Sequence, residues 1–421
     1  MSREVIEVYA DWYPIEEPLL LGHLAYSDSS RGGVFSFSYD NAFLKSASRL
    51  QIDPMLTLHS GELYNDEADK NFRAFLDSSP DRWGRILMQR RAVIEASKGV
   101  RSTSRLTELD YLLGVHDSYR MGGIRFKRSG SDAFLDLPFL DNNAEFAAPP
   151  MASLRELEHA AIQIEKDDNI DSDEYYRWLK MLISPGSSLG GARPKACVTD
   201  EQGHLWIAKF PNLSDDHDVG AWEMLCHQLA LEAGVDMYPC MLQKYSSEHH
   251  TFLTKRFDRD GAQRIHFSSA MTQLGYYDGK HADGASYLEI AEFLTNQGAQ
   301  TKQDLAQLWR RIVFNIAVSN TDDHLRNHGF LLTKNGWKLS PAYDLNPITG
   351  KTGLHLNISD LSNALEYDLA FEVAEFFRLS EAEATRIYDE VLGAVKGWQD
   401  VAGQLGISRR EQLLKQSAFN V

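Results

Sequence analysis

The run SNTDDHLRNHGF, residues 319–330, gathers two carboxylates, two histidines and two asparagines directly after a segment of strongly amphipathic helical pattern. Within it, Asp322 is followed five positions later by Asn327. Phosphoryl-transfer loops place an Asp and an Asn at this separation, because a carboxylate must reach the hydroxyl nucleophile while an amide oxygen holds magnesium on the nucleotide phosphates. His324 and His328, four apart, raise a zinc alternative. The zinc-protease pattern needs a Glu directly after the first His, and Leu325 stands there instead. His324 is therefore expected to organise the loop through hydrogen bonds.

The following stretch, HGFLLTKNGWKLSPAYDLNP, reads as a β-hairpin around Asn335-Gly336. With those two as loop residues, Lys334 pairs with Trp337 and the register carries Asn327 opposite Asp344, although Pro341 disturbs the last pairs. Asn327 and Asp344 would then be a pair of oxygen ligands suited to magnesium, which takes one or two carboxylates together with phosphate oxygens.

A nucleotide needs a strand lysine and backbone donors as well. KACVTDEQGHLWIAKF supplies two strand-like runs about a turn, and Lys209 closes the second in WIAK, comparable to the V-A-I-K strand of protein kinases. Glu223, on the helix candidate GAWEMLCHQLALEAG, is available to pair with it. Upstream, SPGSSLGGARPKA has Gly186, Gly190 and Gly191 for close backbone approach to phosphates, with Arg193 and Lys195 adding positive charge. It does not match the G-x-x-x-x-G-K-[ST] loop. TFLTKRFDR is expected to run as a strand into a hinge, where backbone groups near Lys255 and Phe257 meet adenine.

The elements that position these groups are mixed. VIEVYADW and GVFSFSYD alternate with period two and read as half-buried strands. SSPDRWGRILMQRRAVIEA has Ser79 as a cap and Pro80 at the first helical position, and LTELDYLLG is a second, shorter helix. Ser153 with Glu156 and Ser380 with Glu383 form capping boxes, and DLAQLWRRIVFNIAVSN is helical. The expected class is α+β: a two-lobed, protein-kinase-like fold with a β-rich N-terminal half and a mostly helical C-terminal lobe. Its segments are 1–135, a β-rich subdomain; 150–258, a nucleotide-binding lobe; and 259–421, a helical lobe with the catalytic loop.

Composition narrows the field. The 421 residues, 43% hydrophobic and 24% charged, suit a globular chain with more than one core. A formal net charge of −17 disfavours a general nucleic-acid binder. Cys197, Cys226 and Cys240 form no CxxC pair, which excludes a disulfide framework and a thiolate zinc site. No apolar run approaches a membrane span, and MSREVIEVYADWYP lacks a signal-peptide plan, so a cytoplasmic location is the expectation.

Taken in order, SSLGGARPKA, WIAKFP, KRFDR, NTDDHLRNHGFLL and LSPAYDLNP resemble the HipA family of bacterial serine/threonine kinases, the toxins of toxin–antitoxin pairs. SSPDRWGRILMQRR and LDYLLGVHDSYRMGGIRF are similar to the family's N-terminal region, so the likeness covers most of the chain. The resemblance implies ATP and Mg2+ as cofactors, Asp322 as catalytic base, Asn327 and Asp344 as magnesium ligands and Lys209 on the ATP phosphates. It also implies that the Gly-rich loop, with Gly190, Gly191 and Ala192, covers the nucleotide. Ser188 matches the family's autophosphorylated serine, and Ser187 beside it is the alternative. A HipB-type helix-turn-helix antitoxin is the implied partner, through which any contact with nucleic acid would run. The family's targets include aminoacyl-tRNA synthetases. Two rival expectations are a small-molecule kinase of the antibiotic-modifying kind and a nucleotide-binding regulator that sequesters a transcription factor without turnover.

Overall fold

The computed structural model describes residues 3–28, 33–66, 70–135, 149–166, 173–183, 191–279 and 284–421. The chain divides into two compact units, the first made of Met1–Leu213 with Asp258–Ser268, the second of Ser214–Phe257 with Ser269–Val421. Of the three segments read from the sequence, 1–135 lies in the first unit, 150–258 is divided at Leu213, and 259–421 lies in the second apart from residues 259–268.

The first unit opens with a five-stranded sheet. Strands β1 (Arg3–Ala10), β2 (Leu19–Ser27), β3 (Val34–Tyr39), β4 (Leu63–Tyr64) and β5 (Ile124–Arg128) lie in the order β4-β3-β2-β1-β5. All pairs are antiparallel. Alternation in β1 buries Ile6, Val8 and Ala10 and leaves the intervening residues partly exposed, as the period-two pattern requires. Phe37, Phe75 and Phe126 pack edge-on or tilted beneath the sheet, with centroids 5.5 and 5.7 Å apart.

Helix Arg82–Ser97 starts two residues later than Ser79 and Pro80 suggest. Its N-cap is Asp81, whose Oδ1 accepts the Gly84 N–H at 2.7 Å. Ser79 is otherwise engaged, its hydroxyl donating to Phe75 O at 2.8 Å. The Ser153/Glu156 pattern opens with a single 3-10 turn, Met151–Ser153, that runs into helix Leu154–Lys166. Helix Asp173–Ile183 follows, and then the hairpin of β6 (Lys195–Thr199) and β7 (Leu205–Lys209). Its register sets Lys195 directly opposite Lys209.

The second unit begins with helix Val219–Glu232, capped by Asp218, and the hairpin of β8 (Cys240–Gln243) and β9 (Thr251–Lys255). Helices dominate thereafter. Tyr287–Gln297 carries a Ser286/Glu289 capping box, Thr301–Ala317 is the central helix, and Glu381–Val395 starts at the Ser380/Glu383 box. Trp309 and its neighbours Leu308, Ile312 and Val313 are fully buried. The last carbonyls of the central helix are closed from far along the chain. Asn420 donates its backbone N–H to Ala317 O at 2.8 Å and its amide to Ile316 O at 2.7 Å. Among the described residues no helix is long and apolar enough to cross a membrane.

One contact in the first unit has a large predicted energetic weight. Lys195 Nζ lies 2.7 Å from Asp81 Oδ2, with both side chains 1% exposed. Lys195→Met would leave a buried carboxylate without its cation and should cost about 3–5 kcal/mol. Arg3→Ala, which removes the exposed pairing with Glu62, should cost less than about 1 kcal/mol. Urea-unfolding midpoints of the two variants test the contrast.

Candidate active site

The central helix ends at Ala317, and the backbone turns through Ser319 at a positive φ of 48° before the polar loop begins. From Asn320 to His324 the loop is irregular, and Leu325–Asn327 form one 3-10 turn. His324 N–H donates to Asp322 O at 2.9 Å, and Asn327 N–H to His324 O at 2.8 Å. The loop is thus closed on itself by backbone bonds.

Its two adjacent carboxylates have opposite fates: Asp322 is exposed and Asp323 is buried. Three donors converge on Asp323 Oδ2, namely the Tyr287 hydroxyl at 2.5 Å, the Asn315 amide at 2.7 Å and His328 Nε2 at 2.8 Å. Burial alone raises the Asp323 pKa, but the charge and hydrogen bond of His328, then the Tyr287 bond, outweigh it and hold the carboxyl below its ordinary value. The Tyr287 hydroxyl is driven well above its usual range by burial and by Asp323, so it stays a donor. Beneath them Arg311 is buried, donates to Ser340 O, and is lowered to about 10 by burial against the attraction of Asp323 and Asp236.

The network runs on into the segment carrying Asp344. Asn315 Oδ1 accepts the Asn320 amide at 3.0 Å, and Asn320 Oδ1 accepts the Asn346 N–H at 3.3 Å. The Tyr343 hydroxyl donates to Arg326 O at 2.7 Å. Residues 343–346 are therefore stitched to 320–327 at two points. Asp344 is half-buried and sits at φ 61°, in the left-handed region that non-glycine residues occupy mostly where function or tight packing demands it.

The expected hairpin forms between strands Gly329–Thr333 and Gly336–Leu339, but its register differs from the sequence reading. Thr333 pairs with Gly336 and Leu332 with Trp337, so the turn residues are Lys334 and Asn335. Gly336 serves another purpose. It adopts φ 128°, and a Cβ there would come within 2.6 Å of Gln297 O, where the strand passes the end of a neighbouring helix. Extended in this register, Asn327 faces the position of Ala342 and not that of Asp344.

The donor types of Asn327 and Asp344, an amide oxygen and a carboxylate, are of the kind magnesium takes beside waters and phosphate oxygens. The Asn327 amide nitrogen donates to Asp322 O at 3.1 Å, which commits that end and turns the oxygen to the ligand role. Asp344 adds one carboxylate. Among the described residues there is no group of three or more His, Cys, Asp and Glu able to hold a metal.

Phe257 is buried between Tyr238 and Tyr343, at ring centroid distances of 6.1 and 5.7 Å. The Lys255 N–H is committed to Pro239 O at 2.9 Å, which leaves any backbone recognition there to other groups. Glu223 is buried on helix Val219–Glu232 in the same unit. The remaining expected residues belong to the first unit. Lys209 is half-buried at the end of β7, and Lys195 faces it across the hairpin. The Lys195 ammonium bonds Asp81 and also Gly191 O at 3.0 Å, so it braces the exit of the Gly-rich segment where the sequence suggested a phosphate contact. Gly191 and Ala192 are exposed, and Gly191 holds φ 90°. Gly186, Ser187, Ser188 and Gly190 lie outside the described residues.

Sequence reasoning missed Tyr287, Asn315, Asn320 and Asp323, and weighed His328 only as a zinc ligand. One signal was present: Asp323 and His328 repeat the five-residue spacing of Asp322 and Asn327, one register along.

Residues 187–398 match the family described as HipA-like C-terminal domain. Curated relatives include "Putative kinase Y4mE" of Sinorhizobium fredii, 30% identical over 148 residues that make up 33% of each chain. A "Putative kinase" of Haemophilus influenzae is 28% identical over 184 residues, 38% of this chain and 52% of that one. The chain thus spans a third to about half the length of these relatives. Among solved structures, the Shewanella oneidensis MR-1 toxin–antitoxin complex of HipA, HipB and operator DNA aligns with a TM-score of 0.64 at 14% identity, over 98% of this chain and 94% of that one. The α+β, kinase-like fold expected from the sequence is the fold observed.

The Asp323 carboxyl yields a pH prediction. Its folded pKa lies below the ordinary 3.8, so its stabilising contribution is complete above that value and is lost as pH falls through the lower, folded pKa. Urea midpoints measured from neutral pH down through this acid range should fall more steeply for the wild type than for Asp323→Asn, which is less stable near neutrality and lacks the titrating group.

Proposed function

This chain belongs to the HipA family, and from that premise we propose that it transfers the γ-phosphoryl group of ATP to a serine or threonine hydroxyl of a protein. The observation that carries the reading is an exposed Asp322 held on a loop whose neighbouring carboxylate is buried and accepts three hydrogen bonds on Oδ2. Such a carboxylate is both reachable and fixed, which is what a base working by position requires.

In the proposed reaction the acceptor oxygen forms its bond to the γ-phosphorus while the bond to the β–γ bridging oxygen breaks, and ADP leaves. The hydroxyl proton passes to the Asp322 carboxylate and from there to solvent. Magnesium, when bound through Asn327 and Asp344, would neutralise charge on the phosphate oxygens. Lys209 is assigned to the phosphates, with the Gly191–Ala192 backbone beside them. Lys195 keeps that backbone in place through Gly191 O.

Regulation by autophosphorylation is part of the proposal. Phosphate on Ser188, or on Ser187 beside it, adds a charge of about −2 to a segment meant to cradle a triphosphate, and should switch the enzyme off. A toxin role and a HipB-type antitoxin partner are proposed on the family and on the solved complex of HipA with HipB and operator DNA.

The first experiment is incubation of unmodified protein with Mg-ATP, followed by intact mass and peptide mapping. Phosphate is expected on Ser188 or Ser187 in the wild type and on neither in Asp322→Ala. The variant should unfold with the wild type, because the side chain removed is exposed. Full phosphorylation of Asp322→Ala would refute the assignment of the base.

A further inference from the structure

Just beyond Asp344, residues 352–365 form an ordered hairpin of loops. Leu354 N–H bonds Asn363 O and Ile358 N–H bonds Ser362 O, both at 2.8 Å, and the Asn363 amide returns to Leu354 O at 2.6 Å. Leu354, Leu356 and Ile358 are buried at 2% exposure or less, which directs the residues between them the other way. His355 is accordingly exposed. Its ring meets that of His324 edge to face, with centroids 5.8 Å apart at 83°.

The segment is tied to the element that holds the base. Asn357 N–H donates to Ala285 O at 2.9 Å, and Tyr287 N–H to Asn357 O at 3.0 Å. Tyr287 is the residue whose hydroxyl bonds Asp323. One residue therefore fixes both the loop bearing Asp322 and the hairpin bearing His355. The His355 imidazole is held below its ordinary pKa, first by partial desolvation of the ring and then by the charge of His324, with Asp322 and Asp323 opposing. His324 Nδ1 is a buried nitrogen without a hydrogen-bond partner among the described residues.

We propose that His355 is an acceptor-binding residue, whose exposed imidazole, braced by His324, hydrogen-bonds the polypeptide that presents its hydroxyl to Asp322. This rests on the kinase reading above. An exposed ring fixed beside an exposed carboxylate flanks the approach to that base. An imidazole can donate to a peptide carbonyl or accept from a peptide N–H, so it suits a main-chain contact that holds the acceptor without selecting its side chains. Structural bracing of the hairpin is assigned to the buried leucines and backbone bonds instead.

The test uses the full chain with Mg-ATP and dephosphorylated casein as the acceptor probe, varying each in turn for wild type, His355→Ala and His355→Asn. Losing one such hydrogen bond should raise the KM for casein about tenfold in His355→Ala, leave the KM for ATP within about twofold, and leave the melting temperature unchanged. His355→Asn, which keeps a donor and an acceptor, should recover most of the loss. An unchanged casein KM in His355→Ala, or a lowered melting temperature with both KM values rising together, would overturn the inference while leaving the kinase intact. A wild type that phosphorylates neither casein nor itself would overturn the kinase reading, and this inference with it.

Discussion

The second unit depends on where one carboxylate goes. Asp323 is buried, and a buried charge is tolerated only when its lone pairs are met. The groups that bond its Oδ2 come from three different elements: Tyr287 from the first turn of one helix, Asn315 from the last turn of another, and His328 from the residue that leads into a hairpin. Docking any of the three wrongly would strand the charge. The polar loop is thus a fixed point to which two helices and a hairpin are referred, and Asp322, the residue just before, takes its position from that constraint while staying in water.

The first unit uses the same device at a different place. Lys195 and Lys209 stand opposite each other across a hairpin, an arrangement that like charges oppose. Asp81 relieves it by taking the Lys195 ammonium into a buried pair while capping helix Arg82–Ser97 with its other oxygen. Lys195 also holds Gly191 O, so the end of the Gly-rich segment is registered on a helix start from the N-terminal sheet region. Buried ion pairs of this kind need not add net stability over an apolar substitute, but they do make misplacement expensive. Here what is placed is the backbone near a proposed phosphate site.

Much of this was legible in the sequence because it rests on local rules. Period-two alternation located β1, Ser380 with Glu383 located a helix start, and Asn335-Gly336 located a hairpin. What escaped was set by distant partners. Gly336 looked like the second turn residue, yet its glycine character answers to Gln297 O passing close by, and the register moved by two residues as a result. Asp322 and Asp323 are adjacent and chemically alike. Which one turns inward is decided by Tyr287, 36 residues earlier. Lys195 beside a run of glycines invites a phosphate role, and only the fold brings it Asp81 from 114 residues away.

The two kinds of residue in the site therefore answer to different demands. Those that fix geometry, Asp323, Tyr287 and Asn315, are buried and bonded, and their chemistry is spent on each other. Those assigned to substrate, Asp322 and His355, are exposed and rest on backbone that others hold. Exposure matters because a base must be reached, and rigidity matters because a positioned group accelerates transfer only if it need not be ordered at the moment of reaction. A single side chain cannot satisfy both, since the burial and donors that fix a carboxylate also keep an acceptor hydroxyl from reaching it. Placing the two demands on neighbouring residues resolves the conflict, and it accounts for a sequence that carries two aspartates in succession where the chemistry itself needs one.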